Sequence, residues 1–198
     1  MVFSLERFIL DKSAIILTDT ESNKAYYSKL FHIPSTKFKA IYLTVDKYFL
    51  KLAQKSASAS NPYDPNKLNI FFYGTMLPLH GIDYIYKMAK SLQTKPEVHF
   101  TIIGKTKFRS IKTYIDKLKK LENVTYLEWV DYEKLPVYIR YADLCLGGPF
   151  GKTGQAQRVI TGKTLQFLLL NKLTIIRNNQ EVKNISTEFH RLIRLISY

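Results

Sequence analysis

A single cysteine, Cys145, stands in 198 residues, so no disulfide can close within the chain. Its place in an apolar run assigns it to core packing. No apolar run approaches the roughly 20 residues that cross a bilayer. The opening Met1-Val2-Phe3-Ser4-Leu5-Glu6-Arg7 lacks the basic start, long apolar centre and cleavage pattern of a secretory leader, and the expectation is a soluble, cytoplasmic protein. The four histidines, His32, His80, His99 and His190, show no metal-ligand spacing, so no metal site is expected. Spacing reveals no Ser/His/Asp or Cys/His grouping either, which leaves catalytic residues unassigned. Asp131 and Glu133 are near neighbours, but Asp131 precedes a predicted helix and reads as its N-cap, a structural role.

Acidic residues are few: 16 Asp and Glu against 30 Lys and Arg give a formal net charge of +14. Such a balance attracts polyanions, among them nucleic acid, acidic membrane surfaces and phosphorylated small molecules. Most of the charge is lysine spread through predicted helices, with no block of five or more basic residues and no recognisable nucleic-acid motif. It reads as a solvated surface, and no specific nucleic-acid partner is expected. A non-enzymatic basic α/β module that binds nucleic acid or another polyanion remains the alternative.

With 46% hydrophobic residues the chain can bury a substantial core. Residues 2–11 read as a helix, 14–17 as a short strand, 21–31 as a helix stopped near Pro34, 38–43 as a strand and 46–53 as a helix. These two α/β units form too little sheet to bury both of its faces. The stretch SASASNPYDPN, residues 56–66, is rich in Ser, Pro and Asn and reads as a linker. Beyond it, strands at 68–73, 98–103, 124–130, 142–146 and 173–176 alternate with helices, the last helix of the alternation at 163–170. That pattern predicts an α/β fold, a doubly wound parallel sheet with right-handed crossovers. The tail, 181–198, shows helical spacing with Phe189, Leu192, Ile193 and Ile196 inward.

The chain is organised around residues 147–166, GGPFGKTGQAQRVITGKTLQ, a glycine-rich loop with basic residues between a strand and a helix. Glycines admit a ligand close to the backbone, N–H groups near a helix start favour negative charge, and Lys152, Arg158 and Lys163 supply cations. A phosphate-bearing ligand is the working expectation. The tripeptide Gly-Lys-Thr at 104–106, 151–153 and 162–164 suggests a P-loop, but that motif needs a glycine five positions before its Gly-Lys. His99, Leu146 and Gln157 occupy those positions, and all three fail. Gly74, Gly104 and Gly147 each fall at the end of a predicted strand, where open sheets hold ligands, and Lys105 and His80 are placed on the same rim. For His80 the plainer reading is a loop histidine bonded to backbone.

The series FFYGTMLPLHGIDYIYKMAKSL, VHFTIIGK, NVTYLEWVDYEKLPVYIRYADLCLGGPFG and AQRVITGKTLQFLLLNKLTII resembles the C-terminal, donor-binding domain of GT-B-fold glycosyltransferases akin to family 4. The earlier ILTDTESNKAYYSKLFHIPSTKFKAIYLTVD is similar to the end of their N-terminal, acceptor-side domain. The resemblance implies a remnant of that first domain at 1–55, a linker at 56–66 and a Rossmann-like, truncated nucleotide-sugar domain at 67–198. It implies an enzyme that transfers a sugar from a nucleotide-diphosphate sugar, with no further cofactor, to a saccharide or lipid-linked acceptor, with peripheral contact at the inner membrane surface. The donor diphosphate is expected at the loop of Gly147, Gly148, Gly151 and Thr153, with Arg158 and Lys163 as cations and Gln166 on the ribose. Gly74, His80 and Lys105 border the same cleft. Many relatives carry two glutamates eight positions apart, where this chain has Arg158 and Gln166. The usual arginine and lysine after the first strand of this domain are replaced by Thr75 and His80. The chain reads as a fragment, weakly active or inactive by itself.

Overall fold

Alternation of short apolar runs with amphipathic stretches becomes two parallel sheets in the computed structural model, which describes residues 2–186 and 191–196. Helix α1 (Val2–Lys12), strand β1 (Ile16–Thr18), helix α2 (Glu21–Phe31) and strand β2 (Phe38–Ala40) form the first unit. The β1 and β2 strands pair in parallel with Ile16 opposite Phe38. Helix α2 begins where the Thr20 hydroxyl accepts the Asn23 N–H and ends at His32 in the left-handed region, so both ends have satisfied backbone groups. Ile16, Phe31, Ile33 and Phe38 bury one side of this small sheet. The other side stays open, with Leu17 60% exposed.

Helix α3 (Lys47–Lys55) starts at Asp46, whose carboxylate accepts the Phe49 N–H. Although it belongs to the first 55 residues, its buried Phe49 and Ala53 pack against Phe71, Ile139 and Cys145 of the larger unit. That unit continues through β3 (Leu68–Tyr73), α4 (Ile82–Ser91), β4 (Val98–Ile103), α5 (Arg109–Leu118), β5 (Val124–Leu127), α6 (Leu135–Tyr141) and β6 (Leu144–Gly148). It closes with α7 (Gly162–Leu169), β7 (Thr174–Arg177), α8 (Gln180–Ser186) and β8 (Ile193–Ile196). The six strands lie in the order β5-β4-β3-β6-β7-β8, every pair parallel. The order reverses at β3, and the crevice at the carboxyl ends of β3 and β6 is where such a sheet receives a ligand.

Two cores sandwich the sheet. On one face Ile82, Ile85, Ile111 and Ile115 of α4 and α5 cover Ile70, Phe72, Phe100 and Ile102. On the other, α3 and α6 cover Phe71, Ile103 and Cys145. Burial pushes the Cys145 thiol well above its usual range, which leaves it an inert packing residue.

Two expectations need correction. The tail is not one helix: Ile193–Ile196 is an edge strand paired with β7, Ile193 opposite Thr174. A short apolar run carries both periods, and an open neighbouring strand edge decides in favour of the sheet. Phe189 lies outside the described residues. Asp131 does begin a turn at Tyr132–Lys134, but its side chain makes no capping bond and instead stands 3.2 Å from the Lys134 ammonium.

Candidate functional site

The glycines of the rim serve two different ends. Gly74 and Gly104, which follow β3 and β4, have φ of +145° and +146°, values that side chains rarely adopt. A β-carbon on Gly104 would clash with the Gly74 carbonyl, so the two strand ends close on each other. Gly81 (φ +66°) and Gly151 let two loops press together: a β-carbon on Gly81 would stand 2.5 Å from the Phe150 carbonyl carbon. The Gly151 N–H donates to the Leu79 carbonyl at 2.8 Å. Gly147 seats helix α7, since its β-carbon would come within 2.6 Å of the Thr164 hydroxyl oxygen. Gly148 (φ +66°) turns the chain into Pro149, and the Thr153 hydroxyl accepts the Ala156 N–H at 3.2 Å. Much of the glycine-rich loop is therefore committed to packing.

Lys163 reaches from the first turn of α7 to the end of β3. It is 7% exposed, and its ammonium lies 4.5 Å from the centroid of the Phe72 ring and directly beside Gly74. Burial lowers its pKa to about 7, and no carboxylate offsets the effect. The His80 ring stands edge-on to Phe72 at 6.0 Å, and its Nδ1 is buried without a hydrogen-bond partner. Burial, followed by the charge on Lys163, depresses the His80 pKa to about 3 against a backbone bond to Thr75. Two nitrogen groups thus converge on Gly74 with unmet capacity, and an anion is the species that would satisfy a buried ammonium.

Gln166 faces the same wall from the next turn of α7. The Tyr73 hydroxyl donates to its Oε1, and its own Nε2 donates to the Tyr132 hydroxyl at 3.1 Å. Tyr132 donates in turn to Asp46 at 3.0 Å, the residue that caps α3. Beyond this chain of bonds a cavity of about 580 Å³ opens over the ends of β3, β4 and β5. Its walls include Tyr73, Gly74, Lys105, Phe108, Trp129 and Tyr132. Trp129 is 70% exposed, with the Lys105 ammonium 5.6 Å from its ring centroid. The carboxylate in the lining, Glu128, is engaged by Lys119 at 3.0 Å, which keeps the rim positive.

Arg158 goes elsewhere. Its guanidinium stacks 3.6 Å above the Tyr26 ring, Nε donates to Asn23 at 3.1 Å, and its carbonyl accepts from the Thr20 hydroxyl at 2.7 Å. Glu181 makes a second tie to the first unit, accepting from the Ser22 N–H at 2.7 Å and the Tyr42 hydroxyl at 2.9 Å. The structure brings together Gly74, His80 and Lys163, sets Lys105 on the adjoining cavity, keeps Gln166 behind that cavity's wall through its bonds to Tyr73 and Tyr132, and holds Arg158 against α2. Sequence reasoning missed Trp129, Phe108 and the two tyrosines. Trp129 is the chain's single tryptophan and falls near the end of the strand predicted at 124–130, a signal that was legible. Among the described residues no group of three or more His, Cys, Asp or Glu could hold a metal ion. No helix among them is long and apolar enough to cross a membrane.

Residues 53–147 match the family model for glycosyl transferases group 1. An uncharacterized 41.2 kDa protein in the cps region of Klebsiella pneumoniae is 31% identical over 115 residues, 58% of this chain and 30% of that protein. The crystal structure of HepE from Anabaena in complex with UDP-glucose shares the fold at a TM-score of 0.66 and 14% identity, over 92% of this chain and 50% of that one. Sucrose-phosphate synthase from Thermosynechococcus elongatus does so at 0.64 and 15%, over 98% and 48%. The chain spans about half the length of these solved proteins and less than a third of the curated relative.

Proposed function

We infer, from the match of residues 53–147 to the family model for glycosyl transferases group 1, that the chain is the donor-binding half of a glycosyltransferase together with the end of its acceptor-side half. The reaction moves a sugar from a nucleotide-diphosphate sugar to a saccharide or lipid-linked acceptor. The observation that carries this reading is the buried ammonium of Lys163 beside Gly74, next to the unpartnered Nδ1 of His80. Diphosphate oxygens seated there would meet the cation that the site leaves unmatched. As the glycosidic bond to the diphosphate breaks, negative charge grows on the leaving oxygen, and a fixed cation in a dry site stabilises it without reorganising. The nucleoside would extend into the cavity bounded by Trp129 and Tyr132, whose rings offer stacking surfaces. The protein would work in the cytoplasm, in peripheral contact with the inner membrane surface.

Calorimetric titration with UDP, GDP and their sugars tests this. Saturable binding to one of them is expected, weakened by tenfold to a hundredfold in Lys163→Met, since a charge-assisted contact is worth about 1.5–3 kcal/mol. No saturable binding, or binding indifferent to Lys163→Met, would overturn it. Steeply salt-dependent binding of nucleic acid that free nucleoside diphosphate fails to displace would mark a basic polyanion-binding module instead.

A further inference from the structure

Strands of a parallel sheet are normally covered on both faces and read as apolar throughout. Strand β4 departs from that. Its Phe100 and Ile102 enter the core under α4 and α5, while His99 and Thr101 point to the opposite face with Ile103, which packs there under α3 and α6. The register carries the polar row across three strands: Asn69 stands opposite His99, and Thr101 opposite Thr125. Here the helical cover ends, and a hollow of about 360 Å³ lies over the row, walled by Tyr63 and Tyr138. Its volume is within the roughly 300–1,000 Å³ typical of small-molecule sites.

This hollow is not the crevice at the strand ends. His99 and Gly104 are five residues apart along the strand and its end, about 16 Å at 3.3 Å per residue. Its chemistry differs as well. Thr101 is 5% exposed and lines the hollow, yet its hydroxyl has no hydrogen-bond partner among the described residues. His99 Nε2 lies 2.8 Å from the Thr125 hydroxyl oxygen, which orients the ring. Burial, then the Lys67 charge, lowers the His99 pKa against the pull of Asp64, which favours the neutral imidazole. At the mouth Lys67 and Asp64 face each other at 4.0 Å, leaving no net charge to select an anion. The Tyr63 hydroxyl donates to the Tyr138 carbonyl at 2.8 Å, and the two rings meet edge to face at 6.0 Å. Asn69 secures the floor through its amide, which donates to the Asp64 and Lys67 carbonyls at 2.9 and 2.7 Å.

A neutral, rigid hollow with two hydroxyls, an imidazole and flanking aromatic rings suits a neutral ligand rich in hydroxyl groups whose C–H faces can lie on the rings. We propose that this hollow is a saccharide-binding site, separate from the crevice at the strand ends and able to hold a neutral oligosaccharide while that crevice is engaged. The Thr101 hydroxyl bonds a sugar hydroxyl, the His99–Thr125 pair bonds a second, and Tyr138 or Tyr63 supplies the stacking face. The site does not depend on the donor reading for its existence.

The test is amide NMR of the labelled chain titrated with maltose, cellobiose, lactose and chitobiose. At least one disaccharide is expected to shift the amides of His99, Thr101 and Thr125 saturably. Thr101→Val, which keeps the side-chain shape and removes the hydroxyl, should weaken that binding at least tenfold without lowering the melting temperature. UDP should leave the same amides unmoved. Thr125→Val serves where Thr101→Val fails to fold. Absence of saturable shifts with all four sugars, or equal shifts in the valine variants, would overturn the proposal. If UDP moves amides around Gly74 while no sugar binds, this inference falls and the donor reading stands; if neither binds, both fall.

Discussion

The ammonium of Lys163 stands 3.2 Å from the point where a β-carbon on Gly74 would lie. The two residues come from different ends of the larger unit, yet each requires the other: a side chain on Gly74 would meet the cation, and without the cation the rim at β3 would carry no buried charge. Gly74→Ala is therefore expected to displace Lys163 and to strain a backbone at φ +145°, costing about 1–3 kcal/mol. Chemical denaturation reads the stability loss, and a fall in UDP affinity parallel to that of Lys163→Met reads the displacement.

Lys163 makes stability depend on alkaline pH. Its folded pKa is near 7, below the usual 10.5 of a lysine, so between these values the unfolded chain binds a proton that the folded chain does not. Stability then rises with pH from about 7 to about 10, and the burial cost is carried in full below 7. Thermal melts across that window should show the rise in the parent and a flatter profile in Lys163→Met. Binding of UDP near pH 8 should also take up a proton, visible as a dependence of the calorimetric enthalpy on the buffer's ionisation heat.

His80 acts in the acid range with the same sign. Its pKa falls from 6.5 to about 3 on folding, so below 6.5 the unfolded chain binds the extra proton and stability declines until about pH 3. His80→Gln keeps a polar ring-sized group without the titration, and its melting temperature should fall less steeply over that interval.

Arg158 is expected to matter for the junction of the two units more than for the nucleotide. Arg158→Ala removes the stack on Tyr26 and the bond to Asn23, and a loss of about 1–3 kcal/mol is expected. A double-mutant cycle with Asn23→Ala should show less than additive losses, while UDP affinity stays within about twofold, far from the tenfold change that 1.4 kcal/mol produces. A tenfold loss of UDP affinity in Arg158→Ala would instead put its guanidinium on the ligand.

Much of the fold can be read along the chain because the signals are local. Leu68–Tyr73 and Val98–Ile103 are apolar runs bounded by turn residues, and Glu21–Phe31 stops short of Pro34 as its sequence implies. The edge strand Ile193–Ile196 could not be read this way, because its four residues fit a helix equally well until β7 offers a free edge. Side-chain destinations were equally hidden. Arg158 and Lys163 are five positions apart on one basic loop, but one lies against α2 and the other beside Gly74, since the turn Gln155–Gln157 and the start of α7 aim them differently.

Periodicity, strand-end glycines and a run of motifs were enough to specify a doubly wound sheet, because hydrophobic spacing and backbone sterics act over a few residues at a time. Which cation remains unpaired, which glycines are spent on packing, and where a polar row on β4 escapes its helical cover were settled by contacts between residues distant along the chain. Burial and electrostatic pairing are properties of those contacts, and no local pattern encodes them.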